Sequence, residues 1–213
     1  MHPEVTWTHP FLDAIVHFLP EDVRHVVDVG CGRGIGGTLC RLYRNPVKLV
    51  GLDVFSPYLK TLRDLNVYSE LIRIDFSRTP CLPFRHNTFD VGLALEVIEH
   101  LPERDGEALI HDLQDQCTRV IVSTPNEFFS QDSFDANPFQ THRSAWHARD
   151  FEVMGFDVYG VGGVRGLGRN LGYALGRLTS IFPRASTHLL AVWDRRGRVL
   201  PFVGPAARAR AER

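Results

Sequence analysis

Residues 26–34 read VVDVGCGRG, and this run carries the strongest structural signal in the chain. Its apolar, β-branched beginning is typical of a buried strand, and the glycines that follow predict a tight turn into a helix. Glycines in such a turn allow a ligand to approach the exposed backbone at the carboxyl end of a parallel strand. The run therefore predicts an α/β protein with a ligand site at the end of its first strand.

The nature of that ligand follows from Asp28, which stands two residues before the first turn glycine. A carboxylate at this place repels the pyrophosphate of a dinucleotide but attracts an ammonium or sulfonium group. Residues 32–37 read GRGIGG and also match the G-x-G-x-x-G pattern of dinucleotide-binding folds. In that register, however, the first glycine lies beyond the strand and Asp28 has no role. The sequence therefore favours S-adenosylmethionine over a dinucleotide as the cofactor.

Length and composition define the broad class of protein. The chain has 213 residues, of which 44% are hydrophobic, and this is enough for one domain with a sizeable core. We predict one domain over residues 1–194 and a basic tail over residues 195–213. The net charge of −1 provides no basic field for a long nucleic acid, and no apolar run approaches the roughly 18 residues of a membrane span. Four scattered cysteines without a C-x-x-C pair favour a reduced, cytoplasmic protein.

Strand-like runs alternate with helical periodicity along the chain, which predicts βαβ units and a mainly parallel sheet. We expect a doubly wound, Rossmann-like α/β fold with seven strands. The predicted strands lie near residues 23–29, 47–54, 71–76, 90–97, 118–124, 156–161 and 189–193, and predicted helices lie near residues 10–19, 105–116 and 171–182.

Acidic residues close three successive predicted strands, namely Asp28, Asp53 and Asp75. Asp53 can accept hydrogen bonds from both hydroxyls of a ribose. Asp75 can accept one from the exocyclic amine of adenine, while Phe76 covers a face of the ring. Any one of these aspartates could be a turn or cap residue. Three of them at successive strand ends indicate a binding site.

In these features the sequence resembles the class I S-adenosylmethionine-dependent methyltransferases over about residues 23–125, and among them the type 11 and ubiquinone-pathway enzymes. The resemblance implies the class I fold and S-adenosylmethionine as the methyl donor. It also implies cofactor contacts from Asp28, Gly30, Cys31, Gly32, Asp53, Val54, Asp75, Phe76, Leu95 and Glu96.

A second motif, EVIEH at residues 96–100, is similar to a pattern that holds a divalent metal in two methyltransferase families. These are the 3′-terminal 2′-O-methyltransferases of small RNAs and the ubiquinone-pathway O-methyltransferases. In the RNA family a further histidine lies four residues before a tryptophan, and His142 and Trp146 repeat that spacing. Without a metal, such a motif packs, caps a helix or places the acceptor. The resemblance implies Mg²⁺, Mn²⁺ or Zn²⁺ held by Glu96, Glu99, His100 and His142.

The connection over residues 126–150 is much longer than the about 2–6 residues usual between elements of such folds. We interpret it as a lid that binds the acceptor. Methyl transfer to a hydroxyl is helped by a general base, and histidine titrates near neutral pH. The candidate catalytic residues are therefore His142, His100 and His147 as bases and Glu127 as a group that orients the acceptor.

Three functions remain open at this point. The first is O-methylation of a small-molecule or sugar-bearing (glycan-type) biosynthetic acceptor, with or without a divalent metal. The second is metal-dependent 2′-O-methylation of an RNA 3′ terminus, although the chain has no evident RNA-contacting extension. The third is a non-catalytic S-adenosylmethionine-binding subunit that supports an active partner. The predicted helix near residues 171–182 could also make a homodimer contact.

Overall fold

A seven-stranded sheet forms the centre of the computed structural model, which describes residues 10–127, 136–164 and 183–199. The strands are β1 His25–Val29, β2 Lys48–Asp53, β3 Glu70–Arg73, β4 Phe89–Leu95, β5 Cys117–Pro125, β6 Asp157–Val164 and β7 Ser186–Asp194. Their spatial order is β3-β2-β1-β4-β5-β7-β6. The first five of these run parallel, and β7 is antiparallel to both of its neighbours. The predicted mainly parallel sheet is confirmed.

Five helices cover both faces of the sheet in the part of the chain that the structure describes. They are α1 Pro10–Phe18, α2 Ile35–Tyr43, α3 Ser56–Leu65, α4 Glu103–Gln116 and α5 Ala148–Val153. Successive side chains of a strand point to opposite faces, so β1 contributes to two cores. Val27 and Val29 pack with α4 and α5, whereas Val26 packs with α1, α2 and α3. This is the predicted doubly wound arrangement.

The main local difference from the predicted elements lies at β3, which ends at Arg73 rather than near Phe76. Past the strand end, the Asp75 carboxylate accepts hydrogen bonds from the Ser77 backbone N–H at 3.0 Å and from its hydroxyl at 2.7 Å. This local turn competes with the extended ladder, as aspartate side chains commonly do. Asp75 and Phe76 therefore lie in a loop beyond the sheet.

Parts of two predicted segments lie outside the described residues, namely 128–135 of the acceptor lid and 200–213 of the tail, together with the whole helix predicted near residues 171–182. The first residues of the predicted tail contact the domain. Arg195 donates to the Gln114 carbonyl at 2.7 Å, and the Val199 N–H donates to Asp157 at 3.0 Å. Among the described helices, none combines the length and apolar character needed to cross a membrane.

Candidate active site

The turn after β1 begins at Gly30, whose φ of +61° lies in the left-handed region. A Cβ at this position would lie 2.4 Å from a methyl carbon of Val97, so the turn also needs the space that only glycine leaves. Two residues later, the backbone N–H of Gly32 donates a hydrogen bond to the Asp53 carboxylate at 2.8 Å. The turn is thus tied to the end of β2 and leaves its backbone facing a cleft.

Two buried aspartates lie at the strand ends beside this turn. Asp53 accepts a second hydrogen bond, from the Phe55 N–H at 2.7 Å, and burial raises the pKa of its carboxyl. Asp28 accepts a hydrogen bond of 2.6 Å from the Tyr68 hydroxyl. Burial raises the pKa of Asp28 to about 7, against the opposing effects of the bonds from Tyr68 and the Gly37 backbone. A nearby cation would restore the ionised form of either carboxyl.

Two adjoining clefts open at the carboxyl ends of the strands, and they share Gly30, Gly32 and Glu96 in their walls. The smaller one, of about 90 Å³, also contains Asp53 and Phe76. The larger one, of about 390 Å³, also contains Asp28, Glu99 and His142. All predicted cofactor residues border one or both clefts: Asp28, Gly30, Cys31, Gly32, Asp53, Val54, Asp75, Phe76, Leu95 and Glu96.

Glu96 stands where β4 ends, between the two clefts, and its backbone has a left-handed φ of +55°. This conformation is uncommon for a residue with a side chain. It is held by Ser123, which accepts from the Glu96 N–H and whose hydroxyl donates to the Glu96 carboxylate at 2.8 Å. On its other side the carboxylate lies 3.6 Å from Nε2 of His188.

Beyond Glu96, a short 3₁₀ helix, Ile98–His100, presents two side chains to the larger cleft. Glu99, His100 and His142 each offer one ligand atom, and these atoms lie within 4.8 Å of one another. We call these three residues the acceptor triad. Burial and the nearby Glu96 carboxylate raise the pKa of Glu99 well above its usual range, and burial lowers the pKa of His100 to about 4. The uncharged forms are therefore favoured until a cation is close.

His142 reaches the triad because its loop is bound to the 3₁₀ helix by several hydrogen bonds. The backbone N–H groups of Arg143 and Ser144 donate to the Glu99 carbonyl at 2.7 and 3.2 Å, and the Ser144 hydroxyl donates to the Ile98 carbonyl at 3.1 Å. Trp146 is 1% exposed and donates from Nε1 to the Ser144 hydroxyl at 2.9 Å. The tryptophan is thus a buried anchor of the loop rather than a wall of the cleft.

The comparisons with known proteins agree with this fold. Residues 27–121 match the family model described as a methyltransferase domain. The methyltransferase domain of bacterial CtHen1 is 23% identical, with a TM-score of 0.56 over 87% of this chain and 97% of that chain. The chain carries a class I methyltransferase domain. S-adenosylmethionine is the methyl donor of this class, and the predicted family is confirmed.

Two further structures share the fold of this methyltransferase. The small RNA methyltransferase HEN1 is 19% identical, with a TM-score of 0.61 over 90% of this chain and 25% of that chain. An S-adenosylmethionine-dependent methyltransferase from Mesorhizobium loti is 16% identical, with a TM-score of 0.55 over 84% of this chain and 95% of that chain. No curated protein sequence matches this chain closely enough to count as a relative.

Not every predicted site residue of the methyltransferase reaches the clefts. His147 is exposed at the beginning of α5, where its backbone N–H donates to Asp150 at 2.8 Å, and it borders neither cleft. Glu127 is also exposed and borders neither cleft. Glu96 is not among the ligand atoms of the acceptor triad, because Ser123 holds its carboxylate between the clefts. His100 and His142 are the predicted catalytic residues that the structure places in the site.

Two residues near the site have no predicted role. His188, on β7, lines the larger cleft, where its Nε2 lies 3.6 Å from the Glu96 carboxylate. The antiparallel pairing of β5 with β7 places His188 opposite Pro125, at the end of β5 that borders the cleft. The sequence around His188 does not indicate this pairing. Tyr68 borders neither cleft, but its hydroxyl donates to Asp28, which does. A buried carboxylate requires a donor, but the sequence does not indicate which residue supplies it.

Proposed function

We propose that this methyltransferase transfers the methyl group of S-adenosylmethionine to a hydroxyl oxygen of a small-molecule or sugar-bearing biosynthetic acceptor. The observation that carries the proposal is the position of the acceptor triad. Glu99, His100 and His142 border the same cleft as Asp28 and Glu96, so acceptor groups and cofactor groups share one space. Close placement of two reactants supplies a large part of the rate of a transfer reaction.

The two clefts suit the two ends of the cofactor. We assign the adenosine to the smaller cleft, because Asp53 and Asp75 offer carboxylates for hydroxyl and amine groups and Phe76 offers an apolar surface. We assign the amino-acid end to the larger cleft, because Asp28 is there to attract an ammonium group. The glycine turn between them lets the backbone approach the ligand closely.

The donor set of the acceptor triad fits a divalent cation. One carboxylate and two imidazoles suit Mn²⁺ or Zn²⁺, and Mg²⁺ would be bound with more water. Such an ion would supply Lewis acidity towards a hydroxyl group when bound. The fit is supported by the low pKa of His100, because an imidazole that is neutral at pH 7 keeps a lone pair for a ligand. The same low pKa makes His100 a weak base, so in the alternative mechanism without a metal we assign proton acceptance to His142.

A second candidate acceptor is the 2′-hydroxyl at the 3′ end of an RNA. It is favoured by the acceptor triad together with the structural similarity to CtHen1 and to the small RNA methyltransferase HEN1. The net charge of −1 favours the small molecule, because extended RNA contacts need a basic surface. The third reading, a non-catalytic partner subunit, gives no reason for buried acid and imidazole groups beside the cofactor cleft.

Calorimetric titration tests the proposal in two stages. We expect S-adenosylhomocysteine to bind with micromolar affinity, and Mn²⁺ to bind to protein freed of metal with EDTA. Labelled S-adenosylmethionine is then offered with short RNAs and, separately, with sugar-bearing and phenolic small molecules. Absence of S-adenosylhomocysteine binding would overturn the cofactor assignment, and cofactor binding without a response to Mn²⁺, Mg²⁺ or Zn²⁺ would overturn the metal assignment. Label in RNA alone would make the second candidate the function.

A further inference from the structure

Tyr68 is a buried residue between α3 and β3 that borders neither of the two clefts. It is 6% exposed, yet its hydroxyl has two polar partners on the cofactor side. The hydroxyl donates to the Asp28 carboxylate at 2.6 Å and accepts from the Gly37 backbone N–H at 3.2 Å. A phenol bonded to a buried carboxylate forms a strong, short hydrogen bond that restricts the carboxylate to one orientation.

The space for this ring is created by glycines in the neighbouring elements. A Cβ on Gly37 of α2 would lie 2.3 Å from Cζ of Tyr68, and a Cβ on Gly51 of β2 would lie 2.9 Å from its Cδ1. Both contacts are far shorter than van der Waals separation. The tyrosine and the two glycines are therefore complementary in shape, and the ring fills the gap between β2 and the beginning of α2.

The backbone on either side of Tyr68 is also fixed. Arg41 of α2 donates from Nε to the Val67 carbonyl at 2.8 Å and from its guanidinium to the Ser69 hydroxyl at 2.9 Å. Ser69 in turn exchanges hydrogen bonds with the backbone of Leu49 in β2, at 2.8 and 3.1 Å. The phenol is thus held against Asp28 by connections to both a helix and a strand.

We propose that Tyr68 is a positioning residue of the cofactor site: it orients the Asp28 carboxylate towards the amino-acid end of S-adenosylmethionine. Tyr68 touches no ligand itself. Its hydroxyl holds one carboxylate oxygen of Asp28, and Asp28 itself borders the larger cleft. This inference rests on the proposed function, because it uses the assignment of the amino-acid end to the larger cleft.

The test compares two ligands that differ only at that end. S-adenosylhomocysteine carries the amino acid, whereas 5′-methylthioadenosine has the same adenosine and sulfur without it. For Tyr68→Phe we expect about tenfold weaker binding of S-adenosylhomocysteine and a change below about twofold for 5′-methylthioadenosine, by calorimetry at pH 7.5. A tyrosine that only fills the core would change both affinities equally or neither.

Tyr159→Phe is the matched control. Tyr159 is 8% exposed, and its hydroxyl donates a long hydrogen bond of 3.5 Å to the Val199 carbonyl, away from Asp28. We expect this variant to bind both ligands like the wild-type protein. Equal loss of S-adenosylhomocysteine affinity in both variants would overturn the positioning role.

Asp28→Asn provides a second, independent variant. If Tyr68 acts through the Asp28 charge, then Tyr68→Phe added to Asp28→Asn should weaken S-adenosylhomocysteine binding by less than about twofold further. Full additivity of the two changes would overturn the proposal. Wild-type protein that binds neither ligand would instead overturn the cofactor assignment, so the two failures are distinguishable.

Discussion

The proposed cofactor side and the proposed acceptor side of this methyltransferase are built in different ways. On the cofactor side, Asp28, Gly30 and Gly32 come from one strand and the turn that follows it, and Asp53 from the end of the adjacent strand. On the acceptor side, the 3₁₀ helix carrying Glu99 meets a loop from much further along the chain, and hydrogen bonds to backbone carbonyls hold the two together. One side depends on sheet geometry, and the other depends on long-range contacts.

This difference has a functional consequence. The hydrogen-bonded ladder holds the strand ends of a parallel sheet in place, so we expect the cofactor side to be the more rigid of the two. Loops that are positioned by a rigid scaffold can vary, which lets one fold serve many acceptors. If the two sides are independent, then a substitution on one side should leave the other side's ligand unaffected.

The largest expected change is a loss of Mn²⁺ affinity when a residue of the acceptor triad is replaced. We expect Glu99→Gln and His142→Ala each to weaken Mn²⁺ binding by roughly 100-fold, because each removes one of three ligands that the fold brings together. Affinity for S-adenosylhomocysteine should change by less than about twofold. Mn²⁺ binding can be followed by electron paramagnetic resonance and cofactor binding by calorimetry.

His111→Ala is the control for that measurement, because His111 is an exposed histidine of α4 whose Nδ1 lies 3.1 Å from Gln114 Oε1. It should retain wild-type affinity for Mn²⁺. Loss of S-adenosylhomocysteine binding in Glu99→Gln would show that the two sides are coupled and would contradict their independence.

The sequence predicts the residues of the proposed cofactor side from local signals. Residues 26–34 contain a strand, a turn and a helix start, and each predicted cofactor residue borders a cleft. Asp75 was predicted at a strand end and instead lies in a turn beyond β3, but it reaches the smaller cleft all the same. The carboxyl ends of parallel strands lie at one edge of the sheet, so a residue just past a strand end reaches the same region even when the strand boundary shifts.

The acceptor side was predictable only in part. The spacing of His142 and Trp146 was visible by resemblance, and the structure supplies its reason: the buried indole anchors the loop through Ser144. His188 depends on the antiparallel pairing of β5 and β7, which no local pattern encodes. His147 has the right chemistry, but the helix start that it occupies points the residue to the surface.

The second largest expected change concerns Asp28 on the cofactor side, where replacing the carboxyl alters the free energy of unfolding in a pH-dependent way. Because the pKa of Asp28 is raised from 3.8 to about 7, the folded protein binds a proton more tightly than the unfolded chain does, and stability falls as pH rises through that window. Asp28→Asn removes the charge. We therefore expect it to raise the free energy of unfolding by about 2 kcal/mol at pH 8 and by much less at pH 5.

The same variant should bind S-adenosylhomocysteine about tenfold more weakly at pH 8, since the ammonium group loses its counter-charge. Thermal unfolding from pH 5 to 8, with and without S-adenosylhomocysteine, measures both effects. Its Mn²⁺ affinity should match that of the wild-type protein. A variant that is less stable than wild type at pH 8 would contradict the raised pKa of Asp28.

The smallest effects are expected at the two predicted catalytic residues that lie outside both clefts. His147→Ala and Glu127→Ala should each leave the affinities for Mn²⁺ and S-adenosylhomocysteine within about twofold of wild type, because neither side chain borders the site. Glu127 has a left-handed φ of +108°, so Glu127→Gly should raise the free energy of unfolding slightly, by about 0.5 kcal/mol. Chemical denaturation measures that change. A large loss of Mn²⁺ affinity in His147→Ala would mean that the loop carrying His142 moves with α5, and that the acceptor side extends further along the chain than the acceptor triad.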